Sequence, residues 1–187
     1  MKHKRAFTMV ELTIVIVIIA LLAGLGIISY SGAQKTSRDA KRKADVNTFA
    51  MAMTLYKVDK KTFDLTSVSA GNTLGEGFIN MAYTVGGSPR ESITGYLSSS
   101  GYLSGRLEDP KYDAAKCEAT PDDYSACGDY VYLYDATKGG AIYAKLENPK
   151  YGGDNDRTSA DSVITSCAGC ADFVAVKANY QFAKIIK

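Results

Sequence analysis

Residues 7–28 read FTMVELTIVIVIIALLAGLGII, 22 residues with one ionisable side chain, Glu11, behind the basic tag MKHKRA. As a helix this run spans about 33 Å, enough to cross the hydrocarbon of a bilayer. Three ordinary readings compete for it. A secretory signal peptide has a basic start, a shorter apolar run and a small-residue cleavage site. Ser31-Gly32-Ala33 offers such a site, but the run from Leu12 to Ile28 is long for a signal and a carboxylate sits where it begins. A lipoprotein signal fails because Leu22-Ala23-Gly24 is followed by Leu25 and not by cysteine. A plain signal-anchor helix explains the length and leaves Glu11 without a role.

An ionisable group at membrane depth is costly, so it marks function and asks for a partner. Cleavage between Ala6 and Phe7 creates an α-amino group four residues before Glu11. The amine does not reach back to a side chain one turn on in its own helix with good geometry. The amine of one subunit can instead meet the carboxylate of the next along an assembly. Such a pair sets an axial register more than it adds stability, because desolvation offsets much of its Coulomb attraction.

The stretch KRAFTMVELTIVIVIIALLAGLGIISY resembles the N-terminus of type IV prepilins and of the related pseudopilins of type II secretion systems. Phe7, Thr8 and Glu11 match the family's pattern directly, Met9 and Val10 are conservative replacements, and Ala6 stands where the family usually has glycine. The resemblance implies cleavage by a prepilin peptidase between Ala6 and Phe7, N-methylation of Phe7, and Glu11 guiding insertion into a growing filament. Many members have proline where this chain has Ile28; Gly24 and Gly26 are the positions expected to weaken the helix instead, since each glycine costs about 1 kcal/mol relative to alanine.

At 187 residues the expected organisation is one membrane helix and one domain. The division read from the sequence is a leader at 1–6, a transmembrane and assembly helix at 7–30, and a head at 31–187, with 31–61 continuing the helix and 62–187 holding a variable region and a sheet. A net charge of +2 points to no polyanionic partner, and no specific nucleic-acid binding is expected. The only histidine, His3, lies in the leader. The mature chain therefore has no Ser-His-Asp triad, Cys-His pair or imidazole metal site. No nucleophile elbow or Walker loop occurs either, and the protein is not expected to be an enzyme.

Beyond the apolar run, Val46, Phe49, Ala50, Met53 and Tyr56 recur at steps of 3 and 4, and no proline interrupts 7–61. The spacing predicts one long helix whose second half lays this stripe on a head. Lys35, Arg38, Lys41, Arg42 and Lys43, relieved by Asp39 and Asp45, suit DNA or anionic headgroups by charge; the ordinary reading is a solvated face. This run also sets the positive-inside rule against an exported head, with three Lys or Arg before the span and five soon after it. The Glu11 motif and the cysteines outweigh that rule here.

Residues 55–64, LYKVDKKTFD, resemble the family's helix exit, with Lys61, Phe63 and Asp64 in place of its Gly, Tyr and Pro. Residues 66–105 are rich in serine and glycine, with a short strand expected between Phe78 and Val85. Tyr130-Val131-Tyr132-Leu133-Tyr134 alternates, DATKGG at 135–140 is turn material, and 141–146 returns as the second arm of a hairpin. Val174, Val176, Ala178, Tyr180 and Phe182 form a further alternating face. The predicted class is α+β, a long N-terminal helix packed on an antiparallel sheet. Tyr130, Tyr132 and Tyr134 share one face, suited to stacking on sugars or bases and more ordinarily to packing within the sheet.

Four cysteines allow three pairings in an exported domain. The expected bonds are Cys117 with Cys127 and Cys167 with Cys170. A redox role for Cys167-Ala168-Gly169-Cys170 is disfavoured because a strand-like pattern follows it where a thioredoxin motif has a helix. The nine residues between Cys117 and Cys127 fit four-cysteine zinc poorly. Asp154, Asn155, Asp156 and Asp161 are candidate calcium ligands, with a plain acidic turn as the alternative; no other cofactor is expected. The reading is a type IV pilus-like filament subunit, held in the inner membrane with its N-terminus cytoplasmic and then assembled at the surface or in the periplasm. Its partners are then like subunits, the prepilin peptidase, an assembly platform and the membrane. The alternatives are a type II secretion pseudopilin, a bitopic membrane protein with a thiol or metal-binding domain, and a secreted enzyme cleaved after Ala33.

Overall fold

The computed structural model describes residues 7–71, 77–119, 127–135, 138–148, 160, 180 and 182–187. The chain divides into two compact units, Met1–Ser37 and Arg38–Lys187. Helix α1, Met9–Lys60, is 52 residues long and runs through Gly24 and Gly26 without a break. In the first unit every described side chain from residue 7 to residue 24 is exposed, Phe7 by 85% and Met9 by 82%.

In the second unit, α1 meets a four-stranded antiparallel sheet in the order β1-β4-β5-β6. These strands are β1, Gly77–Phe78; β4, Val131–Asp135; β5, Gly139–Ala144; and β6, Phe182–Ile186. A separate two-stranded hairpin pairs β2, Tyr83–Val85, with β3, Ser88–Arg90. The molecule is therefore α+β, with a long helix and an antiparallel sheet. The stripe predicted from spacing is the core: Val46, Phe49, Ala50, Met53 and Tyr56 are buried with Tyr130, Tyr132, Ile142, Phe182 and Ile186. The rings of Phe49 and Tyr132 lie 5.4 Å apart at a tilted angle, the offset geometry that aromatic quadrupoles favour.

The opposite face of the same sheet is also covered. Phe78, Val131, Leu133, Ala141, Tyr143 and Ala183 form a second buried cluster with Cys117, Cys127 and Tyr180. Period-two alternation assigns residues to faces, and here both faces are core, so all six residues of β5 are buried. Glycine is required where β5 begins. Gly139 has φ +99°, and a Cβ there would run into the carbonyl oxygen of Ile186; one on Gly140 would sit 2.9 Å from the Tyr132 ring.

Several elements differ from the sequence reading. The strand expected across 78–85 is two short strands in two sheets. The serine- and glycine-rich region contains α2, Ile93–Ser99, whose N-cap Ser92 accepts from the Gly95 N–H and which buries Ile93, Thr94 and Leu97. A further helix, α3, spans Ala114–Ala119. Six or seven residues are too few for periodicity to stand out, and short helices owe their stability to burial. Tyr180 and Phe182, placed on one face by alternation, go to different clusters; Val174, Val176 and Ala178 lie outside the described residues.

Candidate assembly site

The N-terminus of α1 is built around Thr8 and Glu11. Glu11 Oε2 accepts from the Thr8 backbone N–H at 2.9 Å and from the Thr8 hydroxyl at 2.8 Å, while the Glu11 N–H donates to Thr8 Oγ1 at 3.2 Å. This reciprocal arrangement is a capping box, which satisfies orphan donors at a helix start. Its signature, Thr-x-x-Glu before an apolar run, was present in the sequence, yet reading Glu11 only through an amine on another subunit overlooked Thr8. The carboxylate does reach back within its own chain, to the amide one residue after Phe7. Two donors from Thr8 lower the cost of taking Glu11 out of water. Among the described residues no helix is both long and apolar enough to cross a membrane. The sequence carries the apolar run of α1 beyond Gly24 through Leu25-Gly26-Ile27-Ile28.

The start of the second unit is fastened by charge. Arg42, 3% exposed, donates through Nε to Asp109 Oδ2 at 2.5 Å, through Nη2 to Asp109 Oδ1 at 2.9 Å and through Nη1 to Asp39 Oδ1 at 2.8 Å. Arg38 makes a fork on Glu147 at 2.6 and 2.8 Å, and Lys111 adds a bond of 2.9 Å to the same carboxylate. Asp39 also accepts from the backbone N–H groups of Glu147 and Asn148. Burial works against the Arg42 charge, but its bonds to Asp109, Asp39 and Glu147 outweigh it and raise the pKa. The Arg38 hydrogen bond holds the Glu147 carboxyl far below the usual carboxylate range, with Lys111 and Arg42 adding to it against some desolvation. The basic run is thus not a solvated face at its centre. Arg38 and Arg42 are spent inside the head, Lys41 pairs with Asp45 at 2.6 Å, and Lys43 sits 5.5 Å from the Phe182 ring centre. The acids that capture the arginines lie 67 and 109 positions away, which no local pattern could announce.

Behind the sheet, buried Asp129 accepts from the Asn80 backbone N–H at 3.0 Å, the Asn80 side-chain amide at 2.9 Å and the Tyr130 N–H at 2.7 Å. Desolvation pushes its pKa up to about 7 in spite of these donors. A disulfide joins Cys117 and Cys127, and both lie in the core on that side. Tyr130 and Tyr132 are fully buried and hydrogen-bonded to Asp45 and the Phe63 carbonyl, so they pack the sheet and offer no stacking surface. Ala6, Cys167 and Cys170, and the candidate calcium ligands Asp154, Asn155, Asp156 and Asp161, lie outside the described residues. Among the described residues no group of three or more His, Cys, Asp or Glu is placed to hold a metal ion.

An exposed apolar helix start with a capped glutamate at its fifth position after Ala6 agrees with one comparison: residues 1–27 match the prokaryotic N-terminal methylation motif. The chain carries a prepilin-type N-terminus. The motif implies processing by a prepilin peptidase and assembly into a pilus-like filament, and it points to a structural protein. No curated protein and no solved structure matches the chain.

Proposed function

We propose that this protein is a structural subunit of a type IV pilus-like filament. It enters the inner membrane as a prepilin with residues 1–6 on the cytoplasmic side, is cleaved between Ala6 and Phe7, and is N-methylated on Phe7. Residues 7–30 hold it in the bilayer until they pack against the same segment of other copies, while 31–187 form an exported head. The observation that carries this reading is that a methylation motif opens a helix whose described apolar side chains through Gly24 are all exposed. Burying an aliphatic side chain is worth roughly 1.5–3 kcal/mol, so lipid first and neighbouring helices later supply what the chain itself does not. Glu11, capped by Thr8, then takes the amine of an adjacent Phe7 as a further partner and fixes the register.

The test is the mass and N-terminal sequence of the protein recovered, without reduction, from membranes and from sheared surface material. The expected species begins at N-methylated Phe7 in both fractions. A start at Gln34 makes it a secreted protein with an ordinary signal. An intact Met1 with free thiols places the head in the cytosol and sinks the filament reading.

A further inference from the structure

In the second unit, the outward side of α1 inverts the usual pattern of a surface helix. From Arg38 to Lys60 nine residues are charged, yet none lies at the centre of the side that faces away from the sheet. At about 100° per residue, Ala40, Ala44, Thr48, Met51, Leu55 and Val58 share that side, opposite the buried Val46, Phe49, Met53 and Tyr56. All six are exposed, Met51 by 61%, Leu55 by 57% and Val58 by 62%. Asn47 and Thr54, at one margin, are exposed and uncharged as well. The charges have gone elsewhere: Asp39 and Arg42 are buried, and Lys41 donates to Asp45 and to the Glu108 carbonyl. A helix that ends against water carries its charges outward, and an exposed apolar patch with a polar rim marks a contact. Beside the same margin lies a groove of about 370 Å³, lined from α1 by Ala50, Met51 and Thr54 and from the end of β6 by Ile185, Ile186 and two lysines.

We infer that this face seats the apolar first segment, residues 12–24, of a second copy of the chain. The inference rests on the filament reading, which brings such segments of neighbouring copies out of the bilayer and together. Residues 12–24 contain no ionisable side chain and are exposed throughout. Seating them here takes no ion out of water on either side, so desolvation of charge does not oppose the burial of apolar surface. A charged partner finds no opposite charge at the centre of the face. The same face of another head offers three large apolar side chains, whereas the segment offers them all round. Ala40, Ala44 and Thr48 are small enough to let two helix backbones approach closely. Met51, Leu55, Val58 and the groove beside them then receive the isoleucine and leucine side chains of the segment. From Ala40 to Val58 the face runs about 27 Å, enough for the roughly 20 Å of a 13-residue helical segment.

The experiment uses the full chain with a photoreactive benzophenone amino acid in place of Leu55, mixed as isotopically heavy and light copies and assembled in cells or from detergent. Irradiated filaments should yield heavy-to-light peptide pairs joining position 55 to residues 12–24. Alongside it, the double variant Met51→Lys/Leu55→Lys should lower the yield of sheared filaments roughly tenfold or more, because each added charge is buried without a partner. Its melting temperature and its processed start at Phe7 should match the parent, since both positions are exposed. Ser99→Lys/Ser104→Lys, exposed elsewhere on the head, should leave the yield unchanged; an equal loss from it overturns the inference, because added charge alone then suffices. Cross-links that run only between two heads, or only to lipid or detergent, overturn it too, as does a full yield from the Met51/Leu55 double variant. A parent that starts at Phe7 and forms filaments confines such a failure to this contact. A parent that keeps Met1 and assembles nothing overturns the filament reading and this inference together.

Discussion

The two ends of α1 are made of similar residues and meet opposite fates. Ile14, Ile16, Ile18 and Leu21 are exposed, whereas Val46, Phe49, Met53 and Tyr56 are fully buried. The difference lies in what surrounds the apolar positions. Near Phe49 they occupy one stripe with polar residues between them, and a stripe needs one sheet to cover it. Between residues 12 and 24 they go all the way round, and a helix apolar on every side is satisfied only by lipid or by several neighbouring helices. The first kind of pattern builds a domain and the second builds a contact with something outside the chain.

The largest effect expected within that contrast is at Arg42. Arg42→Met leaves Asp39 and Asp109 buried without their cation and should cost about 3–5 kcal/mol, read by urea unfolding of the detergent-solubilised chain. A loss below 1 kcal/mol would mean that the network does not fasten the helix to the head. Next comes a matched pair of truncations. Phe49→Ala should destabilise the head by about 3–5 kcal/mol, while Ile16→Ala, at a side chain 56% exposed, should leave the same unfolding curve in place and lower the yield of sheared filaments. Equal effects of the two on unfolding would erase the distinction between the halves.

Acid dependence sharpens the same point inside the head. The folded pKa of Asp129 is raised from the ordinary 3.8 to about 7, so its contribution is fully present below about pH 4 and is lost as pH rises through 7. Glu147 acts in the opposite direction: its depressed pKa gives stability above the ordinary glutamate range that is lost as the pH falls below it. Asp129→Asn should flatten the decline in stability between pH 4 and 7, and an unchanged slope would assign that decline to other groups. Smaller still is the cap. Thr8→Ala should cost the start of α1 about 1 kcal/mol, seen as faster amide exchange at Met9 to Leu12 with the head unaffected. Last, Lys61→Gly should stabilise the head by roughly 0.5–1 kcal/mol, because Lys61 holds the left-handed conformation that glycine adopts without penalty. The helix-exit pattern that this chain resembles has glycine at that place.

The sequence by itself determined the long helix, its division into an all-round apolar half and a striped half, and the hairpin of β4 and β5. Each of these is a local pattern, a period or a motif within a few turns or strands. Even the Thr8 cap was legible, as Thr-x-x-Glu. Tertiary structure alone decided the rest. It turned the middle of a basic run into an internal clamp by bringing Asp109 and Glu147 to Arg42 and Arg38. It made both faces of the sheet core and gave serine- and glycine-rich residues enough burial to form α2. These outcomes depend on partners far apart in the chain, and the energy that selects them appears only when the chain closes on itself.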